Sequence, residues 1–433
     1  MKHIIRFAIA FLALTTISCN KNNDMPGQDD TIPVEDLIPR KDIELTRSQA
    51  EFVKTGSNAF ALDLFRMVAG DEDMIISPLS VTFALGMADN GATGNTKAEI
   101  EKTLGYEEES IDGLNSFCRT MMDGAQGIDP STTIEFANAA VVNRTIAKLK
   151  DGFKSAIETN YYAEVTNMAF GVDPVKDFIN SWCEQKTHGM VTELLQEEPT
   201  VFDAAHLLNA VYFKGIWSNQ FKKEDSRKEY FIGLDGEKNK VNMMHQEDTF
   251  DYAYLPGVCT ALRLPFGNQA FNMVFLLPAE EGAKGFDKFK KSLDLDLWND
   301  VSSKFGGLKV DVKIPSFETS YGTEDLSENL QALGIKDAFD DTKATFDLMA
   351  ENVYDQTNLP LSIAKVLHKA KIKVDEQGSE AAAVTDVVMV FASSGGGQSP
   401  DMAAEFHADR PFVYGITEVS TGAIFFLGQF TGK

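Results

Sequence analysis

The spacing of apolar residues along this chain predicts a mixed α+β fold. Between residues 46 and 68 they recur every three or four positions, which is typical of an amphipathic helix. Ser77 and Pro78 offer a capping hydroxyl and a first-turn proline for a second helix, which we expect to run to Gly91. Residues 96–99, Thr-Lys-Ala-Glu, form a capping box and predict the start of a third helix.

Strand-like runs separate and follow these helices. Residues 206–217 form an almost continuous apolar run, which predicts a long central strand buried on both faces. Another strand is predicted at residues 361–374. Because no repeat or linker interrupts residues 46–433, we expect a single domain there. Shorter strands are predicted at residues 132–145, 240–244, 261–266, 271–278 and 308–317, with a C-terminal hairpin that turns at 420–422.

The most informative pattern lies between residues 379 and 390. These residues alternate between two sets: one is wholly small or apolar, and the other carries both charges, Glu380 and Asp386. Such alternation is typical of a strand with one buried and one wetter face. Three consecutive alanines, however, favour a strand only weakly, and Gly378 leaves the backbone free to turn. The segment could therefore pair within a sheet or lie outside it as a loop.

Three stretches resemble the serpins, a family of suicide protease inhibitors. Residues 209–217, Asn-Ala-Val-Tyr-Phe-Lys-Gly-Ile-Trp, are similar to the family's central strand. Residues 75–81, Ile-Ile-Ser-Pro-Leu-Ser-Val, are similar to its N-terminal signature. The alternating segment and the residues before it resemble the hinge of the reactive-centre loop. The matching hinge residues are Glu376, Gly378, Ser379, Glu380, Ala381, Ala382, Ala383 and Thr385.

The resemblance extends in order over residues 46–433. It implies one serpin domain of the α+β class, with three β-sheets, about eight or nine helices and an exposed reactive-centre loop over roughly residues 376–405. In this family a target protease cuts the loop, the hinge inserts into the central sheet, and the protease is trapped as an acyl-enzyme. We accordingly expect residues 378–390 to lie outside the sheet in the uncut chain.

The resemblance also places the bond that the protease cuts. The bond lies about sixteen residues beyond Glu376, at Ala392–Ser393, and the target is expected to be a serine endopeptidase or else a cysteine one. A small Ala392 suits elastases, whereas the neighbouring Phe391 would suit chymotrypsin-like or subtilisin-like enzymes. Counting back from Arg410 would place the bond several residues later, so cleavage at more than one bond stays open.

Four polar residues match the family's shutter, a hydrogen-bonded cluster beneath the part of the sheet that opens: Ser77, Ser80, Asn209 and His368. A serine with a histidine could also indicate a hydrolase. We do not expect an enzyme, because the sequence has neither a Gly-x-Ser-x-Gly elbow nor a clear acidic partner. A non-inhibitory serpin-like binding protein or loop substrate stays the alternative. The small or apolar hinge set favours inhibition, because insertion would bury any charge there at severe cost.

Composition narrows the expected partners. A net charge of −25 argues against nucleic acid, and the acidic stretch at residues 107–112 offers no basic helix for heparin. No zinc or Walker motif is present, so we expect neither a metal nor a cofactor. Cys118, Cys183 and Cys259 are irregularly spaced and are interpreted as buried free thiols in a monomeric protein.

The N-terminus has the form of a signal peptide over residues 1–18, with Lys2 and Arg6 at the start of a short apolar stretch. Residues 16–19, Thr-Ile-Ser-Cys, resemble a bacterial lipobox, with Cys19 as the lipidated first mature residue. Thr16 departs from the usual leucine, so an ordinary signal peptide stays open. Polar residues 19–45 are interpreted as a flexible tether. We expect a protein anchored by lipid to the bacterial cell envelope, at the outer membrane or cell surface, or otherwise a secreted or periplasmic one.

Overall fold

The structure is a computed structural model that describes residues 40–106, 111–320, 324–353, 361–363, 365–379 and 404–432. The π-helical turn Val53–Ser57 joins the first two helical segments without a break, so the described part of the chain holds nine helices besides one short 3₁₀ turn. The helical segments are α1 (Arg47–Phe52), α2 (Asn58–Val68), α3 (Pro78–Asp89), α4 (Gly94–Leu104), α5 (Ile111–Ala125), α6 (Asp151–Tyr161), α7 (Val175–Lys186), α8 (Gly282–Ser292), α9 (Leu295–Ser303) and α10 (Ser327–Leu333).

The strands lie between these helices in chain order and end with a C-terminal pair. They are β1 (Met74–Ile76), β2 (Thr132–Asn143), β3 (Ala147–Leu149), β4 (Glu164–Met168), β5 (Ala205–Ile216), β6 (Arg227–Ile232), β7 (Lys238–Leu255), β8 (Cys259–Phe266), β9 (Phe271–Pro278), β10 (Gly306–Pro315), β11 (Phe317–Ser320), β12 (Glu324–Asp325), β13 (Ala350–Asn352), β14 (Leu367–His368), β15 (Lys371–Asp375), β16 (Gly378–Ser379), β17 (Ala404–His407), β18 (Phe412–Glu418) and β19 (Ile424–Phe430).

The central sheet has six strands in the order β11-β15-β16-β5-β2-β4. The other two sheets share the strand β7 and so form one nine-stranded layer. The first part of β7 pairs with β6 and its middle with β10, whereas its last residues pair with β8. The predicted α+β class with three sheets is therefore confirmed, with β7 much longer than the predicted strand at 240–244.

Helix α7 covers the outer face of the central sheet, while the rest of the core fills its inner face. The sheet needs a cover on each face because β2 and β5 present apolar side chains alternately to the two faces. The outer cluster contains Ala139, Val141, Leu208 and Ala210 from the sheet and Val175, Ile179, Trp182 and Cys183 from α7.

The predicted start of the third helix and the predicted strand at 361–374 were wrong, because contacts with distant segments override the local sequence pattern. The third helix starts at Gly94, so Thr96 lies within its first turn and its Oγ1 accepts a hydrogen bond from Thr345 N at 3.0 Å. The predicted strand at 361–374 is two short strands, because β14 pairs with β12 whereas β15 pairs with β11 and β16. The second helix also ends at Asp89, before the predicted Gly91.

The chain already packs on the domain before the expected boundary at residue 46. Ile43 is buried, and its backbone N–H donates to Ser420 Oγ at 2.9 Å. No helix within the described ranges is both long and apolar enough to cross a membrane. The interpretation of Cys118, Cys183 and Cys259 as buried free thiols is confirmed, and burial raises the pKa of each to about 12.

Candidate functional site

The edge of β5 that faces away from β2 is mostly without a strand partner. Its other edge pairs with β2 along nearly the whole strand. On the open side only Ile216 and Gly215 pair, with Gly378 and Ser379 of β16. Between residues 205 and 214, no strand in the described part of the chain pairs with this edge. Within the described ranges, the backbone donors and acceptors along this edge therefore have no strand partner.

Gly378 and Ser379 of the hinge already lie at the top of this edge. A two-residue turn after β15 reverses the chain, so that β16 lies between β15 and β5 and pairs antiparallel with both. The prediction that residues 378–390 lie outside the sheet is therefore wrong for Gly378 and Ser379. Ser379 is 0% exposed. Only glycine fits at 378, because a Cβ there would lie 2.0 Å from the carbonyl oxygen of Gly215.

Trp217 holds this turn in place from the end of β5. Its indole Nε1 donates to the carbonyl oxygen of Asp375 at 2.9 Å, and its backbone N–H donates to that of Gln377 at 2.9 Å. The indole is itself fixed by stacking on Phe266, with ring centroids 4.4 Å apart. The connection between β15 and β16 is therefore bonded to a rigid aromatic pair at the top of β5.

Glu376, in the same turn, is anchored through its carboxylate. Asn242 Nδ2 donates to Glu376 Oε1 at 2.8 Å. Partial burial alone would raise the pKa of this carboxyl, but hydrogen bonds from its own backbone, Ser226 and Asn242, with the charge of Lys223, lower it. Glu376 is consequently ionised at neutral pH and ties the hinge to β7.

The structure brings together three of the four expected shutter residues. Ser77 caps α3: its Oγ accepts from Ser80 N at 3.3 Å and donates to the carbonyl oxygen of Phe425 at 2.9 Å. The backbone N–H of Ser77 donates to His368 Nε2 at 3.1 Å. His368 is buried, and burial lowers its pKa to about 4. Because the Nε2 lone pair is already used, His368 is not placed as a base for a serine hydroxyl.

Asn209, the fourth residue, is bonded to β2 instead. Its Nδ2 donates to Asn138 Oδ1 at 2.7 Å, and Asn138 Nδ2 donates to the carbonyl oxygen of Tyr161 at 2.6 Å. Asn209 Oδ1 and Ser80 Oγ are buried without a hydrogen-bond partner among the described residues. Counting only the part of the chain that the structure describes, two polar atoms beneath the open edge of β5 are thus unsatisfied.

A histidine contact joins the segment after α7 to the central sheet. His188 Nε2 lies 2.9 Å from Glu135 Oε2 on β2, and its ring centroid lies 4.5 Å from that of Tyr212 on β5. His188 therefore bridges β5 and its paired neighbour β2.

The remaining site predictions lie outside the described residues. They are Glu380, Ala381, Ala382, Ala383, Thr385, the bond Ala392–Ser393 and Cys19. Within the residues that are described, no group of three or more His, Cys, Asp or Glu side chains is arranged to hold a metal ion.

Sequence reasoning missed Asn138, Trp217 and His188 as site residues. Asn138 carried a signal, since it is the polar member of an alternating apolar run in β2. The contacts of Trp217 and His188 join segments far apart in sequence, and no local pattern indicates them.

Within the described residues, the central sheet contains an edge of β5 that is paired only at its top, by the hinge strand β16. The sequence model of the family described as Serpin (serine protease inhibitor) matches residues 55–432. The chain belongs to the serpin family.

Known relatives cover almost the whole domain. Iripin-2 from Ixodes ricinus is 32% identical over 392 residues, which are 88% of this chain and 94% of that protein. Leukocyte elastase inhibitor from Sus scrofa is 31% identical over 394 residues, 88% of this chain and 99% of that protein. The solved structure of the thermophilic serpin tengpin in its native state is similar with a TM-score of 0.79 at 28% identity, covering 92% of this chain and 97% of its own.

We predict that protonation of His368 destabilises the protein in acid. The pKa is lowered to about 4 in the folded chain, against about 6.5 in an unfolded one. The stability that neutral His368 contributes is therefore complete above pH 6.5, the pKa in the unfolded chain, and it is lost as the pH falls towards 4. Between pH 7 and pH 5, protonation of His368 should lower the free energy of unfolding by about 2 kcal/mol.

Denaturant unfolding at the two pH values would measure this loss. The matched control is His368→Gln, whose amide oxygen can accept from Ser77 N but does not titrate. If the variant and the original protein lose equal stability, the assignment of the effect to His368 is wrong.

Proposed function

We propose that this protein is an inhibitory serpin, which traps a serine endopeptidase by cleavage of its loop and insertion of the freed segment beside β5. The observation that carries the proposal is the open edge of β5, entered only by Gly378 and Ser379 among the described residues. The segment that would fill this position follows Ser379 directly in the chain. Each further residue that enters would pair with both β5 and β15.

The side-chain pattern of that segment supports insertion. Ser379 is fully buried in the sheet. In a continuous strand the residues two, four and six positions further on would share its face, and these are Ala381, Ala383 and Thr385. All are small, whereas the charged Glu380 falls on the opposite face.

The proposed reactive bond is Ala392–Ser393, and the proposed target is an elastase-like protease of the serine class. The small Ala392 supports this choice, since a shallow apolar pocket accepts a methyl group. The relative from Sus scrofa, named leukocyte elastase inhibitor, is consistent with it.

We further propose that Cys19 carries a lipid which anchors the protein to a bacterial envelope. The support is the Thr-Ile-Ser-Cys sequence and the polar stretch that follows it. Within the described residues, Ile43 is buried and bonded to Ser420 on the domain. A flexible chain as long as that stretch spans about 25 Å, which leaves the domain close to the membrane but free of it.

Mixing the soluble domain with pancreatic or neutrophil elastase should give a complex that survives SDS, and its mass spectrum should identify the cut bond. Ser379→Arg should convert the inhibitor into a substrate, because Ser379 is already buried in the sheet and an unpaired arginine there would block entry of the residues that follow. Glu380→Arg, the matched control on the opposite face, should reduce trapping much less. Equal loss in both variants would contradict the proposed register. A loop that is cut without any stable complex would favour the non-inhibitory alternative.

Cutting the loop should also stabilise the protein. Roughly ten or more new backbone hydrogen bonds at ~0.5–1.5 kcal/mol each amount to a gain on the order of 10 kcal/mol, before the cost of ordering the loop. The melting temperature of loop-cut protein should rise by tens of degrees over that of intact protein, and the change should be irreversible. A cut form that melts at or below the intact temperature would rule out insertion.

Cys19→Ala should release the full-length protein from membranes or block its processing. Inhibition by a soluble domain that starts near Asp42 should stay unchanged, because Cys19 lies outside that domain. Membrane fractionation followed by immunoblotting measures the distribution. If the variant is processed at the same site and still fractionates with membranes, the lipid anchor is wrong.

A further inference from the structure

The strand β17 is the first described strand after the loop, and its backbone attachment is weak. It spans only the four residues Ala404–His407 and pairs in parallel with β10. It ends the nine-stranded layer, so its other edge has no strand partner among the described residues. Because a short parallel edge strand gains little from its ladder, side-chain contacts matter for keeping it in place.

Two histidines on either side of β10 converge on one carboxylate. His245 Nε2, on β7, lies 2.7 Å from Asp311 Oδ1, and His407 Nε2, on β17, lies 3.1 Å from Asp311 Oδ2. All three side chains are partly exposed. Partial burial would raise the pKa of Asp311, but the two imidazoles lower it, so Asp311 stays an anion in mildly acidic solution. Asp311 therefore links β17 to β7 across β10.

The neighbouring charges on this face are mostly committed to other partners. Lys313, next to both imidazoles in the strand register, pairs with Glu229 of β6 at 3.0 Å. Lys309 pairs with Glu247 of β7 at 2.5 Å. Glu405 of β17 is in register with Asp311 and is exposed.

We propose that His245, Asp311 and His407 form a clamp, which holds β17 on the sheet more tightly in mildly acidic solution than at neutral pH. Imidazole is the side chain whose charge ordinarily changes between pH 5 and pH 8. Protonation converts the two hydrogen bonds to Asp311 into ion pairs without moving an atom. The clamp fixes the C-terminal end of the loop, and it does so whether or not the loop inhibits a protease.

Hydrogen–deuterium exchange of the full chain at pH 5.5 and pH 7.5, corrected for intrinsic exchange rates, tests the clamp. Amides of peptides covering residues 404–410 should be about two- to fivefold better protected at pH 5.5, the range expected for partly exposed ion pairs. His407→Gln keeps a neutral donor to Asp311 but cannot become charged, so this pH effect should disappear. His188→Gln, which removes another exposed histidine–glutamate pair, should retain it.

A wild-type effect that persists unchanged in folded His407→Gln would overturn the proposal, as would the absence of any pH effect in the wild type. His245→Gln leaves β17 itself intact and should reduce the effect. If a thermal melt shows that His407→Gln is unfolded, His245→Gln replaces it as the test variant. A pH effect that persists unchanged in His245→Gln would then overturn the proposal.

Discussion

The structure depends on the open edge of β5. Residues 205–214 of β5 have a ladder on one side only within the described chain, although β5 lies inside the central sheet. An unpaired edge normally lies at the margin of a sheet, where water or a covering element satisfies it. This edge instead lies on the side of β5 that faces β15.

The contacts around this edge are of two kinds. Those at its top are specific and strong: Trp217 binds the turn after β15, Glu376 is tied to Asn242, and Gly378 approaches the backbone of β5 too closely for any side chain. Those beneath it are incomplete, since Ser80 Oγ and Asn209 Oδ1 are buried without partners among the described residues. The top of this edge thus has a fixed register, while the polar atoms further down have no hydrogen-bond partner among the described residues.

Local sequence patterns predicted part of this arrangement. Ser77 caps α3 as its sequence indicates. The alternation of small and charged residues along the hinge predicts that Ser379 faces inward, and Ser379 is buried. What sequence patterns could not supply were contacts between distant segments. Thr96 lies inside its helix and accepts a hydrogen bond from Thr345 N instead of capping, and Asn209 is bonded to Asn138. The seating of Gly378 and Ser379 depends on how closely Gly215 approaches, and no periodicity encodes that distance.

The described histidines differ in their partners. His368 is buried, accepts a hydrogen bond and has no carboxylate partner among the described residues, so protonation opposes its position in the shutter. His188, His206, His245 and His407 each lie near a carboxylate oxygen. Acid therefore destabilises the molecule through the contact between Ser77 and His368, which lies beneath the central sheet.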